Sequence, residues 1–462
     1  MLSNAQPITL IDSQIVAVTQ QCYGFTPQID RLPGEYDCNA RLTHPDGTQY
    51  VLKIMHPART SDFVEMQIAA LMHIATHAMH IPTQRVIPQT SGQLWAHMTV
   101  ADSPQIVWML SYIDGTLFAD ANPVDDALVA NFARLLGQLD ATLTTFAHPA
   151  TVRELEWDVM RAAWIADYDH AFTTDAERQI VHTMLARFRQ NLALHGSALR
   201  QSVIHGDAND YNVVVGAPGY NKRQVKGLLD FGDMMQTATV SELAIAAAYA
   251  IMRHPHPVDA LMLMVEHYHA EHPLNEAEMA ILFDLVCMRL CISVTVSAIR
   301  KRERPDDAYM VVSEAPAWNL LRILAEQHPR VMHYRIRNAC GLQPVPHHDR
   351  VVSWIQRQTT APILGRELAP HETVALDLSV GSTLLGADPR NSSMPRFAKI
   401  IEEYMDGRFG VGGYLEPRMI YTTDRYESAE AFTAERRTLH LAVDFWGPAG
   451  TPVFDGARTY HR

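Results

Sequence analysis

The sequence predicts an α+β fold in two lobes, a small β-rich N-terminal lobe and a large α-rich C-terminal lobe, followed by a small partial β-rich domain. Three observations carry this expectation. From Thr26 to Lys53 short strand-like runs alternate with Pro-Gly and Asp-Gly turns. From Pro123 onward apolar residues recur at helical spacing. Between Val203 and Glu242 two apolar strands, Val213–Val215 and Val225–Leu229, flank a turn rich in Gly, Pro and Asn, with acidic and amide residues at their ends.

That last stretch carries chemistry. Phosphoryl transfer from a nucleotide needs a carboxylate to orient and deprotonate the attacking hydroxyl, and oxygen ligands for the magnesium that neutralises the phosphates. Asp207 and Asn212 flank the loop HGDANDYN at the spacing of a kinase catalytic loop, with Asp207 as base and Asn212 as metal ligand. Asp230 opens DFG, the metal-binding element of the same protein-kinase-like fold. Loop, hairpin and DFG occurring together and in order make the site specific; alone, each is a weak signal.

The elements follow in order. Residues 11–22 have helical spacing. Three strands then end in Lys53 of VLKI, placed to bind nucleotide phosphates. No GxGxxG loop lies between Leu32 and Asn39, so phosphate coverage falls to the backbone from Gly34 to Asp37. The helix SDFVEMQIAALMHIATHAMH carries Glu65, the expected ion-pair partner of Lys53. The strand IVWMLSYIDG reads as a hinge at which backbone groups near Leu110, Ser111 and Tyr112 bond the purine. Past Pro123, VDDALVANFARLLGQLDATLTTF opens the helical lobe. Helices are expected at 175–195, 241–252, 258–269, 276–300 and 317–330.

Composition bounds the rest. At 462 residues, two or three structural units are expected. A hydrophobic fraction of 47% and a charged fraction of 19% describe an ordinary globular chain, with no apolar run expected to cross a bilayer. The start, MLSNAQPITLIDSQ, lacks a basic region followed by an apolar core, so a cytoplasmic location is expected. A net charge of −13 argues against nucleic acid and suits a cationic small substrate. Five cysteines are too few for a disulfide framework, and Cys287 and Cys291 read as buried core thiols.

HGDANDYN, GLLDFGDM, VLKI and LSYIDG together resemble the aminoglycoside phosphotransferase and choline kinase superfamily. NDYN and DFGDM are most similar in wording to its hydroxylysine kinases. The resemblance covers about residues 1–345. It implies Asp207 as catalytic base, Asn212 and Asp230 as Mg²⁺ ligands, and Lys53 as a phosphate ligand. Where many antibiotic kinases have Leu-His-Pro-Gly, this loop has Ala-Asn-Asp-Tyr, which weakens an antibiotic-kinase reading. On this basis 1–112 is the N-lobe and hinge, 113–345 the C-lobe, 346–370 a linker, and 371–462 a further domain.

That last domain resembles the beginning of a lysostaphin-like zinc peptidase, with His440 and Asp444 in the place of the HxxxD ligands. The HxH element of that family is absent before Arg462, so a complete zinc site is not expected. Kinase and peptidase-like modules in this order resemble fusions that continue into an aminotransferase-like phospho-lyase. That context suggests an amino alcohol acceptor such as hydroxylysine.

The leading reading is transfer of the γ-phosphoryl group of ATP or GTP to the hydroxyl of a small amine-bearing substrate. A pseudokinase scaffold, an aminoglycoside or choline/ethanolamine kinase, and a zinc peptidase are the alternatives. Asp210, Asp233, Glu242 and Trp157 are the residues from which an amine site in the C-lobe could be drawn.

Overall fold

The computed structural model describes residues 7–100, 103–218, 223–303, 314–358, 362–386, 388–420 and 437–453. The chain forms two compact units, one of residues 1–178 and 184–320 and one of 179–183 and 321–462.

The first unit starts with α1 (Asp12–Tyr23), then β1 (Gln28–Leu32), β2 (Cys38–Thr43), β3 (Gln49–Ile54), α2 (Ser61–His77), β4 (Val86–Ile87), β5 (Trp95–Val100) and β6 (Ser103–Ser111). The strands make one antiparallel sheet in the order β1-β2-β3-β6-β4, with β5 also on β6. Alternation decides which face each residue serves. Cys38, Ala40 and Leu42 of β2, Leu52 and Ile54 of β3, and Val107 and Met109 of β6 bury against Ile15, Val18 and Cys22 of α1. Each such Leu or Ile contributes roughly 1.5–3 kcal/mol through removal from water. Lys53, between Leu52 and Ile54, therefore points to the opposite face, opposite Trp108 in register and with Nζ 5.7 Å from its ring centroid.

After β7 (Thr116–Leu117) the helical part begins with α3 (Asp126–Leu143), whose N-cap Asp125 accepts from Leu128 N. α4 (Asp175–His195) opens on a capping box, Thr174 with Glu177. Four short strands follow: β8 (Gln201–Ile204), β9 (Val213–Val215), β10 (Val225–Leu228) and β11 (Met235–Ala238). β9 and β10 form the expected hairpin, with β7 added to it, while β8 and β11 pair separately. α5 (Val240–Ala250), α6 (Pro257–Glu271) and α7 (Glu276–Glu303) follow, α5 packing on α7 and α6 on α3. An 18-residue window of α7 has mean hydropathy 2.0, long and apolar enough to cross a bilayer, contrary to the expectation that no run reaches this. That window is 89% buried inside the protein. Cys287 and Cys291 lie within it, and burial pushes the Cys287 thiol up to about 12.

The helix expected over 317–330 is two helices, α8 (Glu314–Ala325) and α9 (Pro329–Ala339), because Pro329 cannot continue the first and starts the second. In the second unit α10 (His348–Gln356) is followed by β12 (Thr373–Leu376), α11 (Arg396–Met405), β13 (Phe409–Gly412), β14 (Glu416–Pro417), β15 (Leu439–His440) and β16 (Phe445–Trp446). β12 runs parallel to β13, which pairs antiparallel with β16, and β14 pairs with β15. Leu376, Leu378, Leu385, Phe397 and Ile401 form the core of this sheet and helix.

Candidate active site

The loop between β8 and β9 turns on Gly206. At φ +81°, with the place of a Cβ only 2.5 Å from Asp233 O, no other residue fits there. His205, fully buried, bonds Leu229 O through Nε2 at 2.9 Å and packs edge-on against Phe231, so the loop and the DFG turn are held as one body. Burial lowers the His205 imidazole to about 4, which keeps it neutral. Asn212 O accepts from Leu229 N at 2.8 Å, a second tie between the two segments.

Asp207 is fully engaged. Oδ1 accepts from Arg289 Nη2 at 2.8 Å, and Oδ2 accepts from Asn209 Nδ2 at 2.9 Å and Asn212 Nδ2 at 3.0 Å. Burial pushes its carboxyl up to about 7; Arg289 and the Asn209 hydrogen bond oppose the rise, and Asp233 and Asp230 add to it. Asn212 spends its amide nitrogen on Asp207 O and Oδ2, which leaves its oxygen as an available metal ligand. Asp230 adopts a left-handed backbone at φ 54°, a conformation that costs an L-residue on the order of 1 kcal/mol and that Asp tolerates better than most. Its Oδ1 accepts from Gly232 N at 3.2 Å and lies 3.6 Å from Lys53 Nζ. The Lys53 ammonium holds the Asp230 carboxyl below the usual carboxylate range. Lys53, Asp207, Asn212 and Asp230 are thus brought to one place.

Two expectations are corrected. Glu65 does not pair with Lys53: Val64, Ile68 and Leu71 form the buried face of α2, and Glu65 lies exposed outside it. The partner of Lys53 is Asp230. Ser111 and Tyr112 do not offer their N–H groups to a purine, because Ser111 N donates to Arg85 O at 2.8 Å and Tyr112 N donates to Gln49 O at 3.2 Å. The Ser111 carbonyl is also taken, by Gln84 Nε2 at 3.0 Å. Among the described residues, the first hinge peptide groups outside the backbone network belong to Ile113 and Asp114, and the Ile113 side chain packs on Gly227 of β10. Gly34 lies in the turn between β1 and β2, where a Cβ would fall 2.4 Å from Asp37 O, so the tight turn forbids a side chain. The Asp37 carboxylate is tied to His56 N at 2.7 Å and sits 3.4 Å from Arg59.

Arg289 was not foreseen. It is 2% exposed, with its guanidinium 4.9 Å from the Trp157 ring and 5.3 Å from the Tyr249 ring. It donates to Trp157 O at 3.2 Å and Tyr249 Oη at 3.2 Å as well as to Asp207. The available signal was a lone Arg inside the apolar run ILFDLVCMRLCISV, since a buried charge demands a partner. Its helix mate Asp284 is paired in the same way, with Arg187 and Asn191. Of the amine-site residues, Trp157 serves Arg289. Asp210 sits 3.7 Å from Arg253, and burial raises its carboxyl to about 6. Glu242, fully buried, accepts from Gly206 N at 2.9 Å. The Asp233 carboxylate makes no hydrogen bond or close ion pair with a described residue, though Arg153, Arg289 and Arg59 lie within electrostatic reach of it.

A hard Mg²⁺ ion needs only one or two protein oxygens beside phosphate and water, and the Asn212 amide oxygen with the Asp230 carboxylate meets that need. His440 and Asp444 belong to the second unit; Nε2 of His440 is 3.0 Å from Asp444 Oδ1, and Arg418 donates to Asp444 Oδ2 at 2.6 Å. His461 lies outside the described residues.

Comparison with known proteins gives the family and the fold. The family model "Phosphotransferase enzyme family" matches residues 29–276. The chain is 27% identical over 314 residues to hydroxylysine kinase of Danio rerio, which covers 66% of this chain and 88% of the relative. It is 28% identical over 346 residues to hydroxylysine kinase of Mus musculus, covering 70% of this chain and 91% of the relative. In fold it is similar to a solved amicoumacin kinase in complex with AMP-PNP and Ca²⁺ (TM-score 0.51, 15% identity), over 68% of this chain and 94% of that one. It is also similar to a microcompartment-associated aminopropanol kinase (TM-score 0.51, 16% identity), over 72% of this chain and 100% of that one. The likeness confirms the bilobal kinase-like fold. A nucleotide is the phosphoryl donor in such enzymes, typically with Mg²⁺, and the acceptors are small molecules. With more than half of its length matched, this chain belongs to the phosphotransferase enzyme family and is a small-molecule kinase.

Proposed function

We propose that the chain transfers the γ-phosphoryl group of ATP or GTP to the hydroxyl of a small amine-bearing acceptor, hydroxylysine first among them. The observation that carries this reading is Asp207: a carboxylate titrating near neutrality, held at both oxygens, beside Asn212, Asp230 and Lys53. A base poised near the working pH is what proton transfer from an alcohol requires. The acceptor hydroxyl gives its proton to Asp207 as its oxygen bonds the γ-phosphorus, the bond to the β-phosphate oxygen breaks, and nucleoside diphosphate leaves. Arg289, Asn209 and Asn212 fix the carboxylate that receives the proton. Lys53 sets a positive charge beside Asp230, where the phosphates are to lie. Asn212 and Asp230 would hold Mg²⁺, which when bound neutralises phosphate charge. The purine lies against Ile113 and bonds the free hinge peptides of Ile113 and Asp114. Hydroxylysine as acceptor rests on the names of the relatives and on the wording of the catalytic loop.

The test is a phosphorylation panel of hydroxylysine, ethanolamine, choline, homoserine and an aminoglycoside, run with ATP and with GTP, for wild type and Asp207→Asn. Hydroxylysine should give the highest kcat/KM. The variant should lose about 10²-fold or more in kcat, the share usual for a missing general base, and should still bind nucleotide. A variant retaining a tenth of wild-type kcat, or a wild type inert toward every acceptor, defeats the reading.

A further inference from the structure

Two arginines beside the DFG turn have no carboxylate that neutralises them well. The guanidinium of Arg59, in the loop leading to α2, lies 4.3 Å from the Phe63 ring centroid, and that of Arg153 lies 5.8 Å from the same centroid. Arg59 has a buried Nε with no hydrogen-bond partner, and its one carboxylate contact, Asp37, is a long 3.4 Å. Arg153 gives Nε to Met234 O at 2.9 Å and Nη2 to Gly232 O at 2.5 Å and Met234 O at 2.7 Å; no carboxylate is paired with it, and Nη1 is unspent. Phe63 Cζ comes within 3.5 Å of where a Cβ on Gly232 would stand, so the pair rests directly on the turn that carries Asp230 and Asp233.

Two guanidinium groups gathered on one ring repel each other, and the proximity shows at Arg153. Burial lowers the ordinarily very basic Arg153; the nearby Asp233 carboxylate opposes this, and Arg59 adds to it. In the same turn stands Asp233, whose carboxylate makes no hydrogen bond or close ion pair among the described residues and whose backbone oxygen lies 2.5 Å from where a Cβ on Gly206 would stand. Burial, then Asp230, raises the Asp233 carboxyl, while Arg153, Arg289 and Arg59 oppose the rise. The turn therefore gathers guanidinium groups with donors left over and a carboxylate that makes no hydrogen bond of its own, within electrostatic reach of the proposed base. An α-amino acid has the complementary pair of charges. The planar fork of Arg suits a carboxylate better than any other cationic side chain does.

We propose that Arg59, Arg153 and Asp233 receive the head group of an amino-acid acceptor, its carboxylate on the two arginines and its α-ammonium on Asp233. This assignment rests on the phosphotransferase reading above. It makes the substrate a hydroxylated amino acid rather than a plain amino alcohol or an aminosugar, and it makes Arg59 and Arg153 specificity-determining residues. A nucleotide phosphate is the other anion that could use them, so the test separates the two.

The experiment compares hydroxylysine with its decarboxylated analogue, 1,5-diaminopentan-2-ol, for wild type, Arg59→Ala and Arg153→Lys, with KM measured for acceptor and nucleotide and with melting temperature as a folding control. Wild type should prefer hydroxylysine by at least roughly tenfold in kcat/KM, the scale of one hydrogen bond to a charged group. Arg59→Ala should raise KM for hydroxylysine by roughly tenfold and leave both the analogue and the nucleotide KM unchanged. Arg153→Lys keeps the charge but loses the fork, and should likewise cost the carboxylate-bearing acceptor more than the analogue. Equal use of both acceptors by wild type overturns the head-group assignment and leaves the kinase reading standing. A rise in nucleotide KM instead of acceptor KM gives the arginines to phosphate and overturns the assignment, as does an equal loss with both acceptors. A wild type that phosphorylates neither but accepts another alcohol overturns the hydroxylysine reading and this assignment together.

Discussion

Arg289 Nη2 donates to Asp207 Oδ1 at 2.8 Å across 82 positions of sequence, from a helix that is otherwise apolar at this point. The pair combines opposing effects. Burial pushes the Asp207 carboxyl up to about 7, and the guanidinium opposes the rise. Trp157 and Tyr249 hold the guanidinium, so its position, and that of the carboxylate, is set by packing.

Replacing Arg289 by Met should therefore move the acid limb of the kcat/KM profile to higher pH. At neutral pH the activity should fall on the order of tenfold for each unit of that movement. Arg289→Lys keeps a charge near Oδ1 and should lie between the two. A Met variant with reduced kcat and an unmoved acid limb would show that Arg289 acts only through packing.

The same loop predicts a stability effect at Glu242. Burial raises its carboxyl to about 7, although Gly206 N, which it accepts, opposes the rise. A carboxyl raised in the folded state contributes stability that is present below the usual carboxylate range and is lost as pH rises through about 7. Glu242→Gln removes this titration. The stability of the variant relative to wild type should rise with pH above about 5, with a slope approaching about 1.4 kcal/mol per pH unit while the folded wild type holds one proton more than the unfolded chain, and should level off above about pH 7. A constant difference across that range would mean Glu242 is ionised throughout.

Lys53 and Glu65 should separate cleanly. Lys53→Met removes the charge beside Asp230 and should raise nucleotide KM by at least roughly tenfold, as expected for a lost charged hydrogen bond. Glu65→Gln alters an exposed side chain that does not pair with Lys53 and should leave kcat and KM within about twofold. Equal damage from both substitutions would restore the ion pair that α2 does not make here.

Why Glu65 was misread, while Asp207, Asn212 and Asp230 were legible, follows from distance along the chain. The catalytic loop and the DFG turn are each contiguous, and their residues face one another because a hairpin joins them. Lys53 was legible because strand alternation assigns its face. Glu65 depends on the rotation of a helix, which is decided by which apolar side chains find the core, here Val64, Ile68 and Leu71. Hinge donors at Ser111 and Tyr112 were misassigned because their partners, Arg85 and Gln49, are backbone groups with no side-chain signal. Arg289 lay beyond both the loop and the residues matched to the family, and only its incongruity in an apolar helix marked it.

In the second unit, His440 and Asp444 should hold no zinc. A catalytic zinc takes three protein ligands and an open position. Among the described residues no group of three or more His, Cys, Asp or Glu side chains is placed to hold a metal. Beside these two stands a cation already: Arg418 gives Nη1 to Asp444 Oδ2 at 2.6 Å and Nε to Glu416 Oε2 at 2.7 Å. A second positive charge at Asp444 would have to displace a guanidinium that is itself buried and paired. Elemental analysis of the purified full chain should find far less than one zinc per chain, before and after dialysis against zinc. Arg418→Ala strips the buried Glu416 of its counter-charge and should cost this unit on the order of 3 kcal/mol in unfolding experiments, without creating a zinc site. One zinc per chain, lost on His440→Ala, would overturn the argument and return the peptidase reading of this unit.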